Sequence, residues 1–334
     1  MPSVSASLRS APASRVGAIA GVAAAAAAGA AYESTRRRRR RNRRFRVGPD
    51  EPLGAGLRRA TLGQLDAAIH ALEHCEDDPS RAIHGARKSI KRARSTLRLL
   101  RPQLGDERFA AADAGLQAVA HRLASERSAA ALPAVLEALV TNSGVRIDPQ
   151  DLAALRARFA QPSGCGVTID HAAAELRAAR GRVHELPALD ERAATAAALA
   201  GVRRAQRSGR ARWRRAVKDP STENLHGWRR RVNELRHDAE LLREADPKRL
   251  RALSGRAREL ADLLGEDHDL AELDGLASDL SSIHAAIEDR RGELRRSVFA
   301  LGRQLYARPP LVRRLRKRTA ERTAWGTAPT PRHA

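Results

Sequence analysis

The feature that most restricts the fold is an internal repeat. GLRRA at Gly56–Ala60 returns as GVRRA at Gly201–Ala205, DPS at Asp78–Ser80 returns at Asp219–Ser221, and HGARK at His84–Lys88 returns as HGWRR at His226–Arg230. The order is kept and the offsets of 145, 141 and 142 residues differ only by small insertions or deletions. A duplication of this length implies two copies of one supersecondary unit, each with the same buried face. From Gly54 to about Arg308 the apolar residues recur at helical spacing, and no stretch alternates as a strand would. The chain therefore reads as all-α, with two homologous helical bundles in tandem: repeat one at about 54–187 and repeat two at about 190–307.

Within the first copy the expected helices are Gly56–His74, then one capped by Asp78 with Pro79 at its first position and stopping before Pro102, then about 106–131 with a break near Pro133. Shorter helices follow at about 134–141 and, after the Asp148–Pro149 cap, 150–160. Gln161–Gly166 reads as a loop, and helical spacing resumes until Pro187. The second copy closes with a long helix at about 281–307.

One stretch concentrates charge. On a 3.6-residue wheel, His84, Arg87, Lys88, Lys91, Arg92, Arg94, Arg98 and Arg101 share roughly half the circumference, opposite Ile83, Ile90, Ala93, Leu97 and Leu100. This face holds no carboxylate. Its self-repulsion needs a polyanion, a nearby acidic element or high salt to offset it. In the second copy His226, Arg229, Arg230, Arg236 and His237 repeat the cations, while Leu225, Trp228, Val232, Leu235 and Ala239 repeat the apolar side. The copy is diluted, because Asn233 and Glu234 stand where Lys91 and Arg92 stood, and Glu240 replaces Arg98.

Net charge sharpens this point. The chain carries 62 Lys and Arg against 39 Asp and Glu, a formal +23 over 334 residues. Residues 1–50 hold +9 of it and residues 308–334 hold +7, so the helical body carries only +7. Position in the body, not total charge, is therefore the evidence for a polyanionic partner. The predominance of Arg over Lys follows the heavy Ala and Arg usage of a GC-rich chain. Aromatic residues are only 3% of the chain, too few for the stacking platforms of single-strand binders. Cys75 and Cys165 lack metal-ligand spacing, and a reducing cytoplasm is expected. The alanine run Gly17–Tyr32, followed by arginines, is too short and too weakly apolar for a span. Residues 1–50 are expected to be a disordered Ala/Arg-rich tail, with weak membrane anchoring the minor alternative, and 308–334 a second basic tail.

The paired motifs HGARKSIKRAR and HGWRRRVNELR, the GLRRA/GVRRA openings and the LLGEDHDL segment resemble the CHAD domain, the conserved histidine α-helical domain, over roughly residues 54–307. The resemblance implies two four-helix bundles related by a pseudo-two-fold axis, whose histidines and basic side chains bind inorganic polyphosphate at polyphosphate granules. It implies no catalytic half, since no ExExK-type strand of a triphosphate-tunnel domain is found. Ser128 and Asn233 depart from the family pattern, the first where an Asp is expected and the second where a Lys is.

The resulting candidate polyphosphate-binding residues are Arg58, His84, Arg87, Lys88, Lys91, Arg94, Arg203, Arg207, Arg210, His226, Arg229, Arg230 and Arg236. The histidines would donate to phosphate oxygens and gain charge as a polyanion raises their pKa. The alternative for each is a helix-surface charge paired locally. Glu266–Asp269 (EDHD) could suggest a metal site, but four consecutive positions at a helix start cannot converge on one ion, and Asp269 is expected to pair with a nearby base. No catalytic residue, metal or cofactor is expected. The competing function is a nucleic-acid or nucleoid-associated protein driven by the arginine tails.

Overall fold

A computed structural model describes residues 45–75, 78–159, 166–187 and 189–307, apart from the side chains of 125–130 and 166–168. The alanine run, both basic tails beyond these limits, most of the 161–166 loop and the side chain of Ser128 lie outside the described residues. Among the described residues the regular structure is helical throughout, with no strand. In chain order the helices are α1 (Leu53–Glu73), α2 (Pro79–Leu104), α3 (Asp106–Asn142), α4 (Pro149–Arg158), α5 (Gly166–His184), α6 (Glu191–Lys218), α7 (Thr222–Leu241), α8 (Pro247–Leu276) and α9 (Ser281–Tyr306).

Local chemistry sets their starts. Asp78, Asp148, Asp190 and Asp246 each accept a hydrogen bond from a first-turn backbone N–H, at 2.9, 2.7, 2.7 and 3.4 Å. Three of the four are followed by proline, whose fixed φ and missing N–H suit the first helical position. Two other prolines fail to break helices as expected. α2 runs through Pro102 to Leu104, and α3 runs through Pro133 to Asn142. At Pro102 the reason is visible: a proline there cannot donate to the Arg98 carbonyl four residues back, and Arg204 of α6 donates to that carbonyl instead, at 2.5 Å.

Packing follows the duplication. α1, α2, α3 and α5 pack in the sequence α1–α2, α2–α3, α3–α5 and α5–α1, and α6, α7, α8 and α9 pack in the same order. α2 also contacts α6 and α7, and α1 contacts α6, so the two quartets meet along α2. A continuous core runs through both, including Leu57, Leu97, Leu99, Val202, Leu225, Trp228 and Leu260. The predicted apolar side of α2 and of its α7 counterpart is buried at every position. A second cluster joins the far end of α3 and Leu155 of α4 to Leu270, Leu273, Ile283 and Ile287 of α8 and α9.

The glycine of the second opening motif earns its place sterically. A Cβ on Gly201 would run into the Leu99 side chain, so the α2–α6 approach requires glycine there. Gly302 of α9 plays the same part against Trp228 and Trp213, whose ring atoms lie 2.7 and 2.8 Å from where its Cβ would stand. No helix among the described residues is long and apolar enough to cross a membrane.

Candidate anion-binding surface

The cationic face of α2 divides in two. From Arg92 onward, neighbouring helices supply the carboxylates that α2 lacks. Arg92 is only 3% exposed, against the expectation that it belongs to the solvent face. Its guanidinium pairs with Glu240 of α7 at 3.1 Å and lies over the Phe45 ring at 4.9 Å. Arg94 makes a two-pronged pair with Asp113 of α3, both bonds 2.7 Å, and reaches Gln117 at 3.3 Å. Arg98 sits 4.0 Å from Glu234 of α7, and burial pulls its pKa down. Arg101 pairs with Asp106 at 2.8 Å. The Arg92–Arg101 segment thus works largely as a structural clamp: Arg92 and Arg98 tie α2 to α7 of the other bundle, and Arg94 and Arg101 tie it to α3 of its own.

The N-terminal part is more open to solvent. His84 and Lys91 are exposed, and Arg87 and Lys88 are half-buried. Arg87 also donates to the Ala120 carbonyl of α3 at 2.6 Å. Lys91 is close enough to the second copy to raise the electrostatic cost of a proton on both His226 and His237.

Around His226 the two halves converge. Its ring lies 4.4 Å from that of His268 on α8, tilted by 48°. Arg230, Arg229 and Lys91 add positive charge, and burial first, then His268 and these cations, push the His226 pKa down to about 4. Its Nδ1 is buried with no hydrogen-bond partner among the described residues. Arg229 is half-buried and lies over Gly265 of α8, its guanidinium 3.1 Å from where a Cβ would stand. Arg230 is exposed. His268 pairs with Glu272 at 3.3 Å. The arrangement concentrates positive charge around the His226 imidazole and disfavours its charged form.

The remaining predicted residues are dispersed. Arg58 donates to the carbonyls of Leu186, at 2.9 Å, and His184, so it caps the C-terminal end of α5. Arg210 donates to the Tyr306 carbonyl at the end of α9, an equivalent cap in the second half. Arg203 and Arg207 are exposed on α6. Arg236 is 8% exposed, with Asp262 at 3.7 Å and Glu240 at 4.0 Å. His237, expected on the cationic face, is 4% exposed and packs edge-on to Phe45 at 6.3 Å. Burial and then Arg236, Arg92, Lys91 and Arg98 hold its pKa well below the usual histidine value.

Two features escaped the sequence reading. Glu266–Asp269 lies in the middle of α8 and not at a helix start. Within it, Asp267 is the buried residue, paired with Arg291 at 3.2 Å and close to Arg295 at 3.8 Å, while Asp269 is half-buried. His268 turns toward His226, a juxtaposition that no spacing within one helix could reveal. Asp238 of α7 is buried at the seam, where Ser95 of α2 donates to it at 3.0 Å. Burial and then Glu234 raise its pKa to about 8, opposed by the Ser95 bond, Arg98 and Arg204. Among the described residues no group of three or more His, Cys, Asp or Glu stands where it could hold a metal ion.

A family model described as the CHAD domain matches residues 59–278, well over half of the chain. The crystal structure of the CHAD domain from the plant Ricinus communis is similar in fold, with 19% identity, 82% of this chain and 94% of that chain covered, and a TM-score of 0.50. No protein of curated function matches the sequence significantly.

Proposed function

Because the chain belongs to the CHAD family, whose members are associated with polyphosphate-related proteins, we propose that it is a non-enzymatic binder of inorganic polyphosphate. The observation that carries this reading is the convergence of Lys91 from one half with Arg229 and Arg230 from the other around His226. Polyphosphate offers a partner only charge and oxygen acceptors. A receptor for it needs a dense cationic track, and neither aromatic shelves nor a reaction centre. His84 and the half-buried Arg87 and Lys88 extend the track along α2, with Arg203 and Arg207 on α6 as peripheral contacts. Arg58, Arg94, Arg210 and Arg236 act in this reading through the scaffold, Arg58 and Arg210 by closing helix ends and Arg94 and Arg236 in ion pairs with Asp113 and Asp262. The protein would act in the cytoplasm, at polyphosphate granules.

The test is retention of the full chain on immobilised long-chain polyphosphate. Replacing Lys88 and Lys91 together by Glu should abolish retention at physiological salt and leave the helical circular dichroism unchanged. Retention equal to the unaltered chain would refute the reading. Polyphosphate incubated with the protein and magnesium should release no phosphate.

A further inference from the structure

We propose that His226 and His268 act as a pair that takes up a proton together with a phosphate group, so that the grip on polyphosphate tightens as the solution becomes more acidic. This inference rests on the polyphosphate-binding reading and adds its regulation. The geometry is specific. The two imidazoles come from different helices, α7 and α8, and touch at 4.4 Å between centroids. Among the described residues the His226 Nδ1 is buried without a partner, so in the free protein charging that ring leaves a second N–H with nothing to donate to.

Every helix packed on this point contributes charge. α7 itself supplies Arg229 and Arg230, and α2 supplies Lys91. α8 supplies His268 with Glu272, and the Arg212 guanidinium of α6 lies against Gly227, beside His226 in the chain. Burial, His268, Arg230, Arg229 and Lys91 all act against a charged His226 ring. The ring is thus neutral at physiological pH, in line with its pKa of about 4.

A phosphate seated against Lys91, Arg229 and Arg230 reverses the sign of the local field. The same ring then favours the charged form, and the proton it gains adds a charge-assisted donor to the phosphate. By linkage, the affinity must rise with falling pH wherever the complex binds more protons than the free protein. One proton per site corresponds to about tenfold in affinity per pH unit. The window opens at the free value near 4 and extends up to the pKa in the complex. Chemically fixed cations such as Lys91 and Arg229 give no such slope in this range. The histidine pair therefore makes binding tunable without altering the fixed track.

Isothermal titration calorimetry of the full chain with long-chain polyphosphate, at constant salt between pH 5 and 8 in buffers of differing ionisation enthalpy, reads the affinity slope and the proton uptake separately. Internal phosphates keep a constant charge over this range, so the slope belongs to the protein. The expected result is uptake approaching one proton per site near pH 6 and an affinity rising about tenfold per unit toward pH 5. The H226Q/H268Q variant should lose at least half of that slope, exposed His84 accounting for the remainder. Strong binding with no proton uptake overturns the proposal while leaving polyphosphate binding intact, as does a double variant that keeps the full slope. Absence of binding at every pH overturns both. Uptake on the unaltered chain tests whether the complex gains a proton at all, and the slope of H226Q/H268Q, read on variant protein whose helical circular dichroism is unchanged, assigns that proton to the pair.

Discussion

Arg92 offers a sharp separation between structural and binding arginines. It lies on the α2 stretch that carries Lys88 and Lys91, yet its side chain is 4% exposed and paired with Glu240, itself 16% exposed. Replacing Arg92 with Ala leaves a mostly buried carboxylate without its nearest cation. Breaking a buried pair costs about 3–5 kcal/mol. Arg236 at 4.0 Å remains to Glu240, which points to the lower end. Loss of the guanidinium over Phe45 adds about 1 kcal/mol. The total, about 4 kcal/mol, should lower the Tm by about 8 °C in a body of this size. Urea titration followed by circular dichroism measures the free energy, and polyphosphate affinity of the folded variant should stay within about threefold of the unaltered chain. Removing both charges, as R92M/E240L, should recover most of the loss, because well-packed apolar substitutes often equal a buried pair. A loss below about 1 kcal/mol in R92A, or folded R92A protein that no longer binds polyphosphate, would refute the assignment of Arg92 to the clamp.

Further outcomes follow from the seam and the α6–α9 packing. Asp238 has its folded pKa raised to about 8 from an unfolded value near 3.8, so the folded state binds more protons between these limits and stability falls as pH rises through that window. D238N should remove this decline, about 1.4 kcal/mol per pH unit at most, in unfolding measured from pH 5 to 8. G302A should cost about 1–3 kcal/mol despite its better helix propensity, because the added methyl meets Trp228 and Trp213. Tryptophan fluorescence during denaturation reads this directly. R58A removes the donor that closes the end of α5 and should cost about 1–2 kcal/mol.

The duplicated motifs and the 3.6-residue period made the all-helical architecture legible, and every apolar position assigned on α2 and α7 is buried. Asp–Pro pairs likewise announced helix starts, because that signal is local. What stayed illegible was non-local. A helical wheel assumes one buried side, but α2 packs against α1, α3, α6 and α7, so positions such as Arg92 have no water to face. The same crowding buries Arg236 and His237 on α7. Carboxylates that answer the cations of α2 come from α3 and α7, and the donor that lets Pro102 remain inside a helix comes from α6. His268 was within sight as part of EDHD, but its contact with His226 exists only once α7 and α8 pack.

The central claim is that cations from both halves, gathered around His226, hold polyphosphate. Its most direct measurement is the affinity of the full chain and of K91E/R230E for long-chain polyphosphate at 0.15 M salt, about physiological ionic strength, with duplex DNA titrated in parallel. Each removed charged contact is worth about 1.5–3 kcal/mol, so polyphosphate affinity should fall at least about 100-fold while DNA affinity changes by less than about threefold. Polyphosphate affinity unchanged in the variant, or an equal fall for both ligands, would contradict the account.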